Sequence, residues 1–330
     1  MTETVDLELI ETRCTLCRSE DSEVCASGTD FEYATCTNVF TFVRCRRCDH
    51  VYLNPRPRPE DLDTIYPSNY YSFIGTTNAL VARAQRVWES GKVKLYRDVI
   101  GLGPRRVLDV GCGDGRFLSL LRDLCATDWE LAGLDFDQGA IEKCRHLGFE
   151  THAERVEDFA ARDEQRERFD AVIMLQLIEH VEDPGLICER VHQLLKPGGA
   201  FIIETPNLAG LDYQIFKGKY WGHYHFPRHW NLFSTSALRR MLEEHGFEIA
   251  RAECLISTSS WITSYQNYLK DKGYPAWICR MVNSQNPILL ALAVAIDRVR
   301  TRLGLATSNQ RVIARAIGSE YGREDTVTAN

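Results

Sequence analysis

A strand–turn–helix segment at residues 107–115 constrains the fold more than any other part of this sequence. It reads Val-Leu-Asp-Val-Gly-Cys-Gly-Asp-Gly, so a short apolar run leads into Gly111, Gly113 and Gly115 on alternate positions. A helical apolar pattern then begins at Arg116. A buried strand, a glycine turn and a helix let the backbone approach a nucleotide-like ligand closely. We therefore expect an open α/β sheet with a ligand at the end of this strand.

Acidic residues end two successive predicted strands. Asp109 lies at the end of the first strand, where it would repel a pyrophosphate and attract a cationic ligand. Asp135 follows the next apolar run, 20 positions after Gly115, and a carboxylate there suits the two hydroxyls of a ribose. Asp137 is better placed than Asp135 to cap the next helix. The two acids indicate a ribose-containing ligand that carries positive charge.

Two Cys-x-x-Cys knuckles lie near the amino terminus. Four thiolates can supply the closed tetrahedron of a structural zinc site, and zinc can replace the core that a small module lacks. We predict a zinc-ribbon-like module at residues 1–60, followed by a linker and covering helix at 61–100. The predicted Zn²⁺ ligands are Cys14, Cys17, Cys45 and Cys48.

Apolar runs and helical patterns alternate along the rest of the chain. This alternation predicts a doubly wound α/β sheet over residues 101–320 with right-handed crossovers, so ligands gather at the carboxyl ends of the strands. About 55 residues separate the last two predicted strands, which is far longer than a hairpin loop, and we expect a helical insertion at about 256–309. The polar tail at 321–330 is expected to be disordered.

Several motifs together resemble the ubiquinone-biosynthesis-type branch of the class I S-adenosylmethionine-dependent methyltransferases. They are Val-Leu-Asp-Val-Gly-Cys-Gly-Asp-Gly, Leu-Ala-Gly-Leu-Asp-Phe-Asp, Ile-Glu-His-Val-Glu-Asp-Pro and Leu-Lys-Pro-Gly-Gly, in that order. The knuckle module, with its Tyr-Leu-Asn-Pro-Arg-Pro segment, is similar to a zinc-binding module fused to bacterial methyltransferases of sugar, lipid and natural-product pathways. These resemblances cover roughly residues 101–207 and 14–60.

The resemblance implies a Rossmann-like sheet of seven mostly parallel strands whose last strand is antiparallel. It also implies S-adenosyl-L-methionine as the cofactor. Asp109, Gly111, Cys112 and Gly113 would hold its amino-acid end. Asp135 and Phe136 would hold the ribose and adenine, and Gln176 would line the methionine side. Asp158 or Glu157 could accept the adenine amino group, or could simply be carboxylates at the start of a helix.

Histidines are the candidate catalytic groups. His223, His225 and His229 lie within seven positions, and His180 follows the fourth predicted strand. Methyl transfer to an alcohol needs alignment and a base, and an imidazole pKa near 6.5 suits that base. We expect His223 or His225 to be the base and His180 to lie near the point of methyl transfer. Alternatively, these histidines only cap helices and stack on Trp221 and Trp230. A second metal at the histidines is disfavoured, because no carboxylate set lies nearby in the sequence.

The charge and hydropathy of the chain limit the kinds of partner that it can have. A formal net charge of −7 argues against broad nucleic-acid binding. Met1–Ile10 carries no apolar signal segment and no apolar stretch reaches 18 residues, so we expect a cytoplasmic protein without a transmembrane helix. The apolar helical segment at 287–305 could contact a membrane surface, form a homodimer, cover a substrate or pack on the protein's own core.

Methyl transfer to a small-molecule, sugar or lipid-linked acceptor, most simply at oxygen, is the function favoured by these observations. An RNA methyltransferase whose zinc module binds RNA is one alternative, motivated by local arginines. A non-catalytic cofactor-binding module is the other.

Overall fold

The computed structural model describes residues 5–67, 79–125, 128–283 and 285–318. The strands are β1 (Leu9–Ile10), β2 (Ser22–Gly28), β3 (Phe40–Cys45), β4 (Val51–Leu53), β5 (Arg56–Pro57), β6 (Arg105–Val110), β7 (Trp129–Asp135), β8 (Glu150–Ala153), β9 (Phe169–Leu175), β10 (Leu195–Pro206), β11 (Asn231–Leu232), β12 (Phe247–Leu255) and β13 (Asn309–Ala316). The helices are α1 (Leu62–Ile65), α2 (Ala79–Ile100), α3 (Arg116–Cys125), α4 (Gln138–His146), α5 (Val156–Ala160), α6 (Pro184–Leu194), α7 (Leu211–Phe216), α8 (Thr235–Glu244), α9 (Thr258–Asp271), α10 (Ala276–Met281) and α11 (Pro287–Arg302).

A seven-stranded sheet forms the centre of the molecule, in the order β12-β13-β10-β9-β6-β7-β8. Its pairings are parallel except those of β13, which is antiparallel to both β10 and β12. The expected doubly wound sheet with an antiparallel last strand is confirmed, and α9, α10 and α11 form the helical insertion before that strand. Because the chain continues from β6 to β7 on one side and returns to β9 on the other, a crevice opens at the carboxyl ends of β6 and β9.

Side-chain alternation along the strands divides the core between the two faces of this sheet. Leu108 and Val110 of β6 pack into one hydrophobic cluster, whereas Val107 packs into the other, beneath α2 and α3. Since successive side chains of a strand point to opposite faces, Asp109 shares the face of Val107. An acidic side chain is thereby placed under two covering helices at the end of the central strand.

A second sheet, of four strands in the order β11-β4-β3-β2, holds the amino-terminal segment. Its edge strand β11 comes from the region after β10, with Asn231 opposite Tyr52. Arg228, beside β11, forms a fully buried ion pair with Asp30 at 2.9 Å. Residues 5–60 therefore share both a sheet and a core with residues 208–232. The predicted domain boundaries stay predictions, and the tail at 321–330 lies outside the described residues.

Candidate active site and cysteine cluster

The glycine turn after β6 has the open backbone that a ligand needs. Gly113 has a φ of +53°, and a Cβ built there would meet no atom within 4 Å. Gly115 has a φ of +80°, and its Cβ would lie 2.7 Å from Cys144 Sγ on α4. Glycine at position 115 therefore permits close helix packing, whereas position 113 faces open space.

Asp135, at the end of β7, fastens this turn to the neighbouring strand. Its Oδ2 accepts a hydrogen bond from the Gly113 N–H at 2.9 Å, and its Oδ1 accepts one from the Asp137 N–H at 3.0 Å. Burial raises the pKa of the Asp135 carboxyl, and the two backbone donors oppose that shift. Each oxygen of the carboxylate has acceptor capacity left for a further donor, such as a sugar hydroxyl.

Asp109 is a buried carboxylate at the same edge of the sheet. Only 3% of the residue is exposed, and burial raises its pKa to about 7. The positive charge of Lys92 on α2 lowers the pKa and the negative charge of Asp135 raises it. A cationic group bound beside Asp109 would favour its ionised form.

An ionic cluster that was not expected from the sequence lies next to Lys92. Glu204, at the end of β10, accepts hydrogen bonds from Lys92 Nζ at 2.7 Å and from the Tyr96 hydroxyl at 2.6 Å. Arg311 of β13 lies 2.7 Å from the same carboxylate. A cavity of about 350 Å³ adjoins the cluster and is lined in part by Lys92, Leu255 and Arg311.

The remaining predicted cofactor residues lie around this edge in different environments. Cys112 is buried, with its sulfur against Gly133, so the backbone of this residue and not its thiol belongs to the turn. Phe136 is 61% exposed directly after Asp135, and Asp158 is exposed in the first turn of α5. Gln176 has a φ of +52°, and its side chain donates to Asn309 Oδ1 at 3.2 Å. Their roles stay predictions.

Three histidine rings meet beyond the end of β9. The ring centroids of His180 and His229 are 4.6 Å apart, those of His225 and His229 are 5.0 Å apart, and those of His180 and His225 are 6.5 Å apart. His223 contacts this group through its backbone carbonyl, and that carbonyl accepts a hydrogen bond from His229 Nδ1 at 2.8 Å. Its ring lies elsewhere, with Nε2 2.9 Å from Ser257 Oγ. Two of the three predicted catalytic histidines, His180 and His225, are thus brought together.

The Nδ1 atoms of His180 and His225 both lie within hydrogen-bond distance of polar groups. His225 Nδ1 lies 2.6 Å from Glu32 Oε1, which belongs to the amino-terminal segment. His180 Nδ1 lies 3.0 Å from the carbonyl of Arg228 and 2.8 Å from the Tyr66 hydroxyl. Burial lowers the pKa of His180 to about 3 and that of His223 to about 4. Glu32 could not be found from the sequence, because nothing in the local pattern connects it to a residue 193 positions away.

Glu179 is a carboxylate beside the histidines, contrary to the expectation that none lies near them. The residue is fully buried, Oε2 accepts from the Thr205 hydroxyl at 2.8 Å, and burial raises its pKa to about 8. Within the part of the chain that the structure describes, Oε1 has no hydrogen-bond partner. Glu179, His180 and His229 each offer a ligand atom within 4.8 Å of the others, a set that could hold a divalent cation. Glu179 directly precedes His180, but its burial and its contact with Thr205 are set by the folded chain and not by the local sequence.

The four predicted zinc ligands form one cluster. Cys14 Sγ lies 3.5 Å from Cys48 Sγ, Cys17 Sγ lies 3.5 Å from Cys45 Sγ, and all four sulfurs lie within 4.8 Å of one another. These distances are far longer than a disulfide bond of about 2.05 Å. They are close to the separation of about 3.8 Å between thiolates on a tetrahedral Zn²⁺ with bonds of about 2.3 Å. The donor set and its spacing fit zinc.

A family model described as a methyltransferase domain matches residues 82–252. A ubiquinone biosynthesis O-methyltransferase of Alkalilimnicola ehrlichii is 38% identical over 145 residues, which are 38% of this chain and 57% of that protein. The enzyme of the same name from Bradyrhizobium diazoefficiens is 35% identical over 112 residues, 32% of this chain and 42% of that protein. This chain therefore spans about half the length of the curated relatives that it matches.

Among solved structures, an S-adenosylmethionine-dependent methyltransferase from Archaeoglobus fulgidus is 20% identical. The alignment covers 70% of this chain and 94% of that protein, with a TM-score of 0.45.

Proposed function

Because this chain belongs to the methyltransferase domain family, among the S-adenosylmethionine-dependent enzymes of class I, we propose that it methylates a hydroxyl of a small-molecule, sugar or lipid-linked acceptor. The observation that carries the proposal is the placement of Asp109 and Asp135 on either side of the glycine turn, with Asp135 bonded to the Gly113 N–H. This arrangement offers acceptors to a ribose and a negative charge to a cationic group at adjacent strand ends.

The residues at this edge fit S-adenosylmethionine, which when bound supplies a methyl group activated by a positively charged sulfur. Asp135 would accept the ribose hydroxyls, and the exposed ring of Phe136 would contact the adenine. Asp158 would accept the adenine amino group, and Gln176 would line the methionine side. Asp109 would face the positively charged amino-acid end, together with the backbone of Gly111, Cys112 and Gly113.

His225 is the general base in this proposal. Glu32 accepts the Nδ1–H of His225, which leaves Nε2 with the lone pair that can take the proton of an acceptor hydroxyl. His180 donates from Nδ1 to the carbonyl of Arg228, so its Nε2 keeps a lone pair that can accept a hydrogen bond from a second donor group of the acceptor. His223 is the less suitable base, because its Nε2 already lies against Ser257 and burial lowers its pKa to about 4.

Cys14, Cys17, Cys45 and Cys48 would bind a structural Zn²⁺. Zinc there would fix the knuckles next to β2 and β3, and with them the amino-terminal segment that supplies Glu32. In this proposal the zinc module completes the active site and does not bind nucleic acid.

Calorimetric titration with S-adenosylhomocysteine, the demethylated product, tests the cofactor site. Asp109→Asn and Asp135→Asn should each weaken binding about tenfold or more, which corresponds to about 1.4 kcal/mol. Asp98→Asn, an exposed aspartate on α2, is the matched control and should bind as the wild type does. Unchanged affinity in both site variants would refute the proposed cofactor site.

Methyl transfer from the radiolabelled donor to a panel of catechols, polyprenylated phenols and nucleotide sugars tests the acceptor class. Label in an ether product supports the proposal. Label only on carbon or nitrogen would contradict it.

A further inference from the structure

Helix α11 presents an apolar face to the outside of the molecule. Its inward face is fixed by Asp297, which is 1% exposed and accepts from the Ser257 N–H at 2.7 Å and from Trp261 Nε1 at 3.0 Å. The outward face carries large side chains at helical spacing. They are Ile288, 76% exposed, Leu292, 58%, and Val299, 56%, followed by the C-cap residue Leu303, 67%. Positions i, i+4, i+11 and i+15 form one stripe along a helix. An amphipathic helix normally buries such a stripe, and here it faces outward.

Positive charge borders this stripe. Each residue turns an α-helix by about 100°, so Arg302 and Arg298 lie about 40° and 80° from Ile288 around the axis. Both arginines are exposed. Residues 272–305 carry five basic residues and one acid, the buried Asp297, whereas the whole chain has a net charge of −7. The outward face of α11 is therefore apolar and locally cationic on a protein that is acidic overall.

We propose that this face docks on a bilayer surface that contains anionic lipids. Helices with an apolar stripe bordered by Lys or Arg lie in the membrane interface, with the stripe in the acyl boundary and the cations at the headgroups. Arginine suits this position because its aliphatic stem packs on apolar surface while the guanidinium reaches outward. In this proposal α11 lies along the surface. Within the described residues no helix is both long and apolar enough to cross a bilayer.

The segment directly before α11 adds interfacial side chains. Trp277 and Met281 of α10 are 62% and 58% exposed. Asn286, the N-cap of α11, donates from Nδ2 to the carbonyl of Met281 at 3.0 Å, so the two helices are tied together. An exposed tryptophan is typical of surfaces that contact the headgroup region.

The charges favour a lipid surface over a second copy of the chain. A two-fold contact through this stripe would bring Arg298 and Arg302 of both copies into one interface. The sequence between Lys272 and Leu305 contains no acid other than the buried Asp297 that could pair with them. Anionic headgroups provide those partners. The inference does not depend on the proposed methyl transfer.

Vesicle flotation of the full chain tests the proposal. The vesicles are phosphatidylcholine alone, or phosphatidylcholine with about one third phosphatidylglycerol. We expect binding only to the anionic vesicles, and a loss of binding as salt is raised. The double variant Arg298→Gln/Arg302→Gln should weaken this binding about 25-fold, because each cation near an anionic surface contributes about a factor of five.

The double variant Leu292→Gln/Val299→Gln should weaken the binding about tenfold or more, since it removes apolar area without changing charge. Val24→Gln is the matched control, because Val24 is 68% exposed on β2 and should not matter. The circular dichroism spectrum and the urea unfolding midpoint confirm that every variant is folded. The proposal is overturned if the wild type ignores anionic vesicles, or if Val24→Gln weakens binding as much as the α11 variants. It is also overturned if the α11 variants abolish a dimer seen by sedimentation while vesicles are never bound.

Discussion

Glu32 Oε1 lies 2.6 Å from His225 Nδ1, although the two residues are 193 positions apart in the chain. Glu32 belongs to the cysteine-rich segment, and His225 belongs to the loop between α7 and β11. A second connection, the bidentate pair of Asp30 and Arg228, lies beside the first. The amino-terminal segment thus does more than precede the catalytic fold, because it supplies the carboxylate that orients the proposed base.

Glu32→Ala should lower kcat for the acceptor found in the panel by about 10–100-fold, the range typical of removing a carboxylate that orients a metal-bound histidine. KM for the methyl donor should not change, because the contact of Glu32 is with His225 and not with the glycine turn. Glu32→Asp should recover part of the rate. Steady-state kinetics measure kcat and KM separately. The control is Glu20→Ala, since Glu20 is an exposed glutamate of the same segment. A rise in KM without a fall in kcat would contradict the positioning role.

His225→Gln should lower kcat by about 10²–10⁴-fold, since it removes the proposed base. His223→Gln should have a smaller effect, below about tenfold, because its Nε2 lies against Ser257 and outside the group of three rings. Both variants should bind S-adenosylhomocysteine as the wild type does. The assignment of the base would be wrong if the two variants were equally impaired or if His223→Gln were the worse.

The pKa of Asp109 predicts a pH-dependent stability penalty in the protein without cofactor. Burial raises this pKa from 3.8 to about 7, so between those values the folded state keeps a proton that the unfolded state has lost. Stability then falls as pH rises from about 4 to 7, and the penalty is complete above pH 7.

Asp109→Asn should therefore unfold at higher denaturant concentration than the wild type at pH 8, by roughly 2–4 kcal/mol in free energy, and at nearly the same concentration at pH 4. Urea unfolding at the two pH values measures this, with Asp98→Asn as control. If the variant were less stable than the wild type at pH 8, the ionised Asp109 carboxylate would not be destabilising the folded state.

Zinc should be present at one ion per chain and should be lost with its ligands. Cys48→Ser should reduce the zinc content and destabilise the amino-terminal sheet, because a structural site contributes directly to folding. Cys25→Ser should retain the ion, because Cys25 lies outside the cluster with its sulfur near the carbonyl of Phe42. Elemental analysis gives the stoichiometry. A full zinc complement in Cys48→Ser would exclude the four-cysteine site.

A residue of the site can be predicted from the sequence when the residues that it contacts lie close to it in the chain. Asp109, Asp135 and the glycines lie at the ends of consecutive strands in one βαβ unit. Because they are close together in the sequence, their spacing alone predicts that they share a site. The Cys-x-x-Cys spacing of the two knuckles likewise predicts the cysteine cluster directly. By contrast, Glu32 reaches His225 only because β11 joins the sheet of β4, a pairing that two short strand segments do not encode locally.

The orientation of individual histidines could not be predicted either. The rings at positions 223 and 225 have different partners, Ser257 and Glu32, and His225 has the positive φ of +41°. Glu179 was missed for a related reason, since its burial depends on the strand end and on Thr205 of the adjacent strand.

Arg228→Met should destabilise the protein by about 3–5 kcal/mol at pH 8, because it leaves Asp30 as a buried carboxylate without its cation. Burial alone would raise the pKa of Asp30, and in the wild type the guanidinium holds that pKa below its usual value. Without Arg228 the pKa of Asp30 should rise, so the loss of stability should shrink as the pH is lowered to 5 and the carboxyl takes up a proton.

Urea unfolding at both pH values measures the difference between Arg228→Met and the wild type. Arg251→Met is the control, because its exposed ion pair with Glu253 should contribute less than about 1 kcal/mol at either pH. Asp30 keeps its backbone donors from Tyr33 and Thr35 in the variant, so the segment around it should stay ordered. An equal loss at pH 5 and pH 8 would mean that Arg228 acts by packing against its neighbours and not by charge, and the electrostatic connection between the two halves of the site would have to be abandoned.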